Sequence, residues 1–304
     1  MFSTYFARHK GYTLAMLALL ALSLAACGGS NTNTTVGTTL SNQATATATP
    51  TKMVVGGNSA IATLKHEPTG TLNLSWDHTS HQLTTKIMMT GLAPSSVHPV
   101  NIYQESCTSS QNYNKNIKPA HSLTNITADA HGVVNFTTKT MVPDGIPAKN
   151  WSVVIYNGPM LGTAAETATL ACADVVNHDT SLRSSQMAQA TFQGTKNGNE
   201  NVSGNATLSL SGRTLTVKMT VTGLAPNSDH MVHIHAGTCA SQGPVIYPLQ
   251  VLKADASGKA TTTTNIPNVM TIPANGWYIN VHDSTDLSTQ TGFNPISCGD
   301  VTLK

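Results

Sequence analysis

Three histidines stand where they could share a metal ion. His233 and His235 are two apart in Val232-His233-Ile234-His235. Successive side chains of a strand point to opposite faces, so on a strand both imidazoles would project from one face. His282 lies five residues after Trp277, in the same outward phase of its segment as Tyr278 and Asn280. Imidazole suits copper, zinc, iron and nickel, so ligand type alone does not name the ion. Paired surface histidines are the other reading of this spacing. The second reactive set is five cysteines, Cys27, Cys107, Cys172, Cys239 and Cys298, an odd count that needs its own explanation in an exported chain.

The elements that must position these residues read as strands. Leu215, Val217, Met219 and Val221 alternate with Thr214, Thr216, Lys218 and Thr220, and Leu83, Thr85, Ile87 and Met89 occupy matching places earlier in the chain. Short half-buried strands separated by Ser-Gly, Ala-Pro and Asp-Ala-Ser-Gly turns point to an all-β, antiparallel sandwich architecture. The chain also repeats itself. Thr90-Gly91-Leu92-Ala93-Pro94 recurs as Thr222-Gly223-Leu224-Ala225-Pro226, and Cys107 recurs as Cys239 at the same offset. Ala128-Asp129-Ala130, Ile146-Pro147-Ala148, Trp151 and Cys172-Ala173-Asp174-Val175 recur as Ala254-Asp255-Ala256, Ile272-Pro273-Ala274, Trp277 and Cys298-Gly299-Asp300-Val301. Self-similarity at this length indicates a duplicated domain rather than a solenoid. The expected partition is a copy at 57–177 and a second at 186–304. In both, the tryptophans are expected as core anchors and Asp129 and Asp255 as turn residues. Four cysteines allow three pairings, and the duplication favours Cys107–Cys172 and Cys239–Cys298 over free buried thiols. Closing a loop of about 60 residues is worth roughly 4 kcal/mol on the loop-entropy account.

The N-terminus accounts for the fifth cysteine. Arg8 and Lys10 precede an apolar stretch, Thr13 to Ala26, too short to span a bilayer, which takes roughly 20 residues. It ends in Leu24-Ala25-Ala26-Cys27-Gly28, which resembles the bacterial lipobox. That resemblance implies a lipoprotein signal at 1–26, cleavage before Cys27, acyl chains on its sulfur and anchoring at the extracytoplasmic face of a bacterial membrane. Residues 27–56 form a linker, and from Gly28 to Thr51 it carries no charged residue. This Thr/Asn/Ser-rich composition cannot bury a core and reads as a tether with a reach of roughly 25–30 Å.

The whole chain has 16 Lys+Arg and 14 Asp+Glu. Losing residues 1–26 removes Arg8 and Lys10 and no acid, which leaves 14 of each sign. With no basic run, nucleic acid is not an expected partner. There is no phosphate-binding Gly loop, Gly-x-Ser-x-Gly elbow or His-Glu-x-x-His helix either.

The histidine segments carry a resemblance. His230-Met231-Val232-His233-Ile234-His235-Ala236-Gly237-Thr238-Cys239 with Gly243-Pro244-Val245, and later Trp277-Tyr278-Ile279-Asn280-Val281-His282 with Ser297-Cys298-Gly299, resemble the copper strand, last copper histidine and second disulfide cysteine of Cu/Zn superoxide dismutases. The segment from His233 to Leu249, with Tyr278 to His282, is still more similar to the chordin-type CHRD domain. The resemblance covers the second copy and, through the repeat, the first. It implies Greek-key sandwiches, supports the Cys239–Cys298 pairing, and implies copper on His233, His235 and His282. It also implies a structural, non-ligating role for His230.

The departures from that family are equally specific. Its metal-bridging histidine would follow Gly243-Pro244, where this chain has Val245, and no histidine lies between His235 and His282, so no zinc site is expected. Its guiding arginine would precede the last cysteine, where the chain reads Asn294-Pro295-Ile296-Ser297. From Asp283 to Ser297 there are two acids and no Lys or Arg, the reverse of a field that would focus an anionic substrate. In the first copy, His230, His233, His235 and His282 correspond to His98, Asn101, Tyr103 and Tyr156. That copy keeps only the fourth histidine, so His98 and His230 are expected to be structural and the first copy metal-free. His66, His78, His81, His121, His131 and His178 are scattered in turn-like contexts and expected at the surface.

The leading expectation is a membrane-anchored protein binding one copper ion in its second domain, with no protein partner identified. A zinc-free copper superoxide dismutase or other copper redox enzyme, and a metal-free adhesion module, are the alternatives.

Overall fold

A computed structural model describes residues 56–110, 117–194 and 198–304; the signal, Cys27 and the linker up to residue 55 lie outside them. The alternating segments form antiparallel strands that bury one face. In Thr214–Thr222, Leu215, Val217, Met219 and Val221 are inaccessible while their neighbours face solvent, and Gln82–Thr90 shows the same alternation. The described residues belong to one compact unit that contains two separate apolar cores. In each sandwich a disulfide links the strand carrying the last cysteine to the segment holding the earlier one, Cys107–Cys172 and Cys239–Cys298. The first half-cystine of each pair donates its N–H to the aspartate two residues beyond the second, Asp174 and Asp300. The turns at Asp129 and Asp255 also match. Each carboxylate accepts the N–H groups two and four residues on, and each turn ends in a left-handed glycine, Gly132 (φ 74°) and Gly258 (φ 75°). A Cβ there would lie 2.1 or 2.2 Å from the carbonyl oxygen of Leu92 or Leu224, so only glycine fits. Trp151 is buried in the first core, and Trp277 packs partly buried against the second with Tyr247 edge-on.

The sheets do not follow the boundaries 57–177 and 186–304. Strand Ser59–His66, the first of the first sequence copy, pairs with Ser203–Ser211, Pro295–Asp300 and Thr302–Leu303 of the second sandwich. Strand Gln186–Phe192, the first of the second copy, pairs with Thr69–Asp77 of the first sandwich, and Gln193 bridges to Cys172. The two copies have exchanged their opening strands. The first sandwich is therefore contiguous, from Thr69 to Gln193, and it interrupts the second between Ser59–His66 and Ser203–Ser211. The exchange is sterically ordered. Leu64 sits against Gly204 and Phe192 against Gly70, while Ala62 opposes Ala206 and Ala190 opposes Leu72. The larger opening strand closes the sandwich that also holds Trp76, whose Nε1–H donates to Val142 O at 2.7 Å.

The exchanged strand leads into a buried carboxyl. Glu67 is 9% exposed and its N–H donates to Ile296 O across the junction at 3.3 Å. Burial pushes its pKa up to about 7, against hydrogen bonds from Thr69 that lower it and a smaller repulsion from Asp300 that raises it. Its neighbour His66 is not a surface residue as expected. Both ring nitrogens are buried, and burial lowers its pKa to about 4, against an interaction with the Ile296 backbone that raises it. For Glu67 the unfolded chain releases its proton near 4.5 and the folded chain near 7, so between these values the folded state holds the extra proton. Stability then falls as pH rises through that window and stays at its lower level above it. Glu67→Gln should remove this fall and stabilise the protein at pH 8 by about 1–3 kcal/mol. Thermal unfolding of both proteins from pH 4.5 to 8 checks it; parallel curves would show that the carboxyl ionises freely.

Candidate metal centre

His233 and His235 lie on strand Val232–Thr238 and His282 ends the adjacent strand Trp277–His282. The register sets Val232 against Val281 and His235 against Tyr278. Ile234, Ile279 and Val281 therefore enter the core from one face, and the three imidazoles meet on the other. That other face is not open to solvent, as the outward phase implied. Tyr278, Asn280 and His282 are all buried; Phe293, from the segment after His282, lies over His282, and Tyr278 lies against His235 and Gly243.

One candidate nitrogen from each histidine lies within 4.8 Å of the other two. The rings are oriented by backbone carbonyls. His282 Nδ1–H donates to Phe293 O at 2.7 Å and His235 Nδ1–H to Gly243 O at 2.9 Å, which assigns the lone pair to Nε2 in both rings. His282 Nε2 faces His233 Nδ1 at 3.2 Å. His235 Nε2 is buried with no hydrogen-bond partner. Such an orphaned acceptor is costly unless something fills the gap. Tyr278 stacks on His235 and Phe293 on His282. Burial lowers all three pKa values, to about 4 for His233, where the His235 ring adds to the effect, and to about 4 for His282 despite its bond to Phe293 O. At neutral pH the rings are uncharged, which is the form that binds a metal. The donor set fits a mononuclear ion held by three nitrogens.

Residues 183–286 match the CHRD domain. This CHRD match contains all three histidines and ends before Phe293 and Cys298. It begins with strand Gln186–Phe192, which in the structure belongs to the other sandwich. No curated protein matches the chain in sequence. Among solved structures, a double mutant of a SOD-like protein from Bacillus subtilis is similar over 36% of this chain and 99% of that chain, at 15% identity and a TM-score of 0.28.

Other site expectations can be placed directly. His230 and His98 are fully buried; each Nδ1 bonds a backbone carbonyl, that of His282 or Tyr156, and each Nε2 bonds a serine hydroxyl, Ser228 or Ser96. With both nitrogens engaged in protein bonds, neither ring has a lone pair turned toward the cluster. At the ligand places of the first sandwich, Asn101 Nδ2 donates to Tyr103 Oη at 3.2 Å, and the hydroxyls of Tyr103 and Tyr156 bond at 2.5 Å. Val245 pairs opposite His235 with its side chain half exposed. Sequence reasoning did not find Gly243 and Phe293, which act through carbonyls that every residue type carries.

Proposed function

We propose that this protein holds one copper ion on His233 Nδ1, His235 Nε2 and His282 Nε2, at the extracytoplasmic face of a membrane to which a lipidated Cys27 ties it. The observation that carries this reading is the buried, unpartnered Nε2 of His235, aimed into a cluster of two further neutral imidazoles. For a given nitrogen site the divalent first-row series peaks at copper, which favours it over zinc. The two disulfides fit an oxidising compartment. The tie to Cys27 rests on the lipobox-like Leu24-Ala25-Ala26-Cys27-Gly28; no helix of the described residues is long and apolar enough to cross a membrane.

When bound, copper would supply one-electron redox chemistry. The chain itself supplies neutral ligands, carbonyls that hold their tautomers, and a covered face that limits water. It supplies no cation from Asp283 to Ser297 to draw in an anion, which favours holding copper over fast dismutation. Metal analysis of the full chain, purified without a tag, should find about one copper per molecule. Superoxide dismutation by the loaded protein should not exceed that of the same amount of free copper. No copper above background would sink the reading, and faster dismutation would replace storage with catalysis.

A further inference from the structure

The two carbonyls that orient His235 and His282 belong to segments gripped by the first sandwich. Gln242, next to Gly243, exchanges two bonds with His131: its N–H donates to His131 O at 3.0 Å, and its carbonyl accepts from His131 Nδ1 at 3.2 Å. Phe293 is held from both sides. The Gln290 side chain pairs with the backbone of Val97 in both directions, at 3.0 and 2.8 Å. Asn294 Nδ2 donates to the backbone and side-chain oxygens of Asn157 at 2.7 and 2.6 Å. Asn157 Nδ2 in turn donates to Asp283, the residue after His282, at 2.9 Å. Asn157 and Asn294 are buried, so these bonds are not diluted by water. Val97, His131 and Asn157 all belong to the sandwich that has no ligand histidines.

We propose that the first sandwich is a positioning module for the metal centre, acting through Asn157 on the Phe293 carbonyl and through His131 on the Gly243 carbonyl. Apart from the one-turn helix Gln290–Phe293, the segment from Asp283 to Asn294 has no regular structure of its own. It is closed by bonds of its own, such as Asp283 N–H to Asn294 O. But the side chains of Gln290 and Asn294, on either side of Phe293, and of Asp283 find partners across the junction, and that fixes the carbonyl to which His282 donates. The same holds for Gly243, whose neighbour is hydrogen-bonded outside its own sandwich. The two grips are separate in sequence and each reaches a different ligand. This rests on the copper reading for its consequence, while the grip itself is measurable without metal.

The test uses the full chain with Asn157→Ala, His131→Ala and Gln290→Ala. Met88→Ala, on an exposed face of the first sandwich, serves as control. In the metal-free proteins, the hydrogen-bonded ring N–H of His282 is followed by NMR solvent exchange. It should exchange about tenfold faster in Asn157→Ala and Gln290→Ala, and the ring N–H of His235 likewise in His131→Ala. Copper affinity by competition should fall about 10–100-fold in each, with an altered Cu(II) EPR spectrum, and Met88→Ala should change neither. Gln290→Ala keeps the question answerable if Asn157→Ala does not fold. Folded variants with wild-type ring exchange and wild-type affinity overturn the proposal. A wild-type chain that takes up no copper overturns the function above, and the exchange arm still decides the grip.

Discussion

Replacing His235 with alanine is expected to leave a folded chain that holds no copper above background. His235 supplies the buried Nε2 without a partner. Without it, His233 Nδ1 and His282 Nε2 remain 3.2 Å apart and satisfy each other. With His282 Nδ1–H on Phe293 O, the shared proton must sit on His233 Nδ1, so the remaining pair is already closed by a hydrogen bond. Two imidazoles that must first give up that proton bind copper weakly. The loss should be on the order of a thousandfold or more in affinity. The cost in the metal-free protein is small, because the cavity penalty is offset by removal of an unsatisfied acceptor. The sharpest readout is therefore thermal: saturating copper should raise the wild-type melting temperature and leave that of His235→Ala unchanged. A variant that still carries one copper at wild-type affinity would rule out His235 as a ligand.

The second large effect concerns the exchanged strand. A chain of residues 67–304 keeps all three histidines and both disulfides, yet its histidine-bearing sandwich should fail to close. Ser59–His66 lies between Pro295–Asp300 and Ser203–Ser211 in the middle of that sheet, and buries Ala60, Ala62 and Leu64. At about 1 kcal/mol net per backbone hydrogen bond and roughly 2–3 kcal/mol for a buried leucine, the loss is on the order of 5–10 kcal/mol. That is comparable with the whole stability of an ordinary domain. The equivalent strand Gln186–Phe192 is already committed to the first sandwich, and its Phe192 would overfill the place of Leu64. Limited proteolysis should cut the second sandwich of the truncated chain and spare the first, and copper binding should vanish. If the second sandwich stays protease-resistant and binds copper, Gln186–Phe192 has moved across and the exchange is not obligatory.

The sequence made the local and the symmetric parts legible. Alternation at Leu215 to Val221 and the pair His233 and His235 both follow from a period of two, and the cysteine partners follow from matched repeats. What it concealed was choice between equivalents. Ala60, Ala62 and Leu64 present nearly the same inward pattern as Ala188, Ala190 and Phe192, so no local signal says which copy each strand completes. The covered face was hidden too, because the segment from Asp283 to Asn294 has the polar composition of an exposed loop, yet Asn294 is buried on Asn157 across the junction and Phe293 stacks on His282. Carbonyls that accept a ring N–H and so orient a site, such as those of Gly243 and Phe293, leave no trace in residue type.

The exchange also decides how the molecule would carry a mechanical load. Tension applied at residue 56 enters Ser59–His66 directly, and this strand is laced to Ser203–Ser211, to the disulfide-bearing strand Pro295–Asp300 and to Thr302–Leu303. The force would be borne by the histidine-bearing sandwich, while the first sandwich, an insertion between two pieces of it, hangs outside the strained path. If the proposed anchor at Cys27 holds, a pull through the N-terminus would thus stress the histidine cluster first and the half without it last.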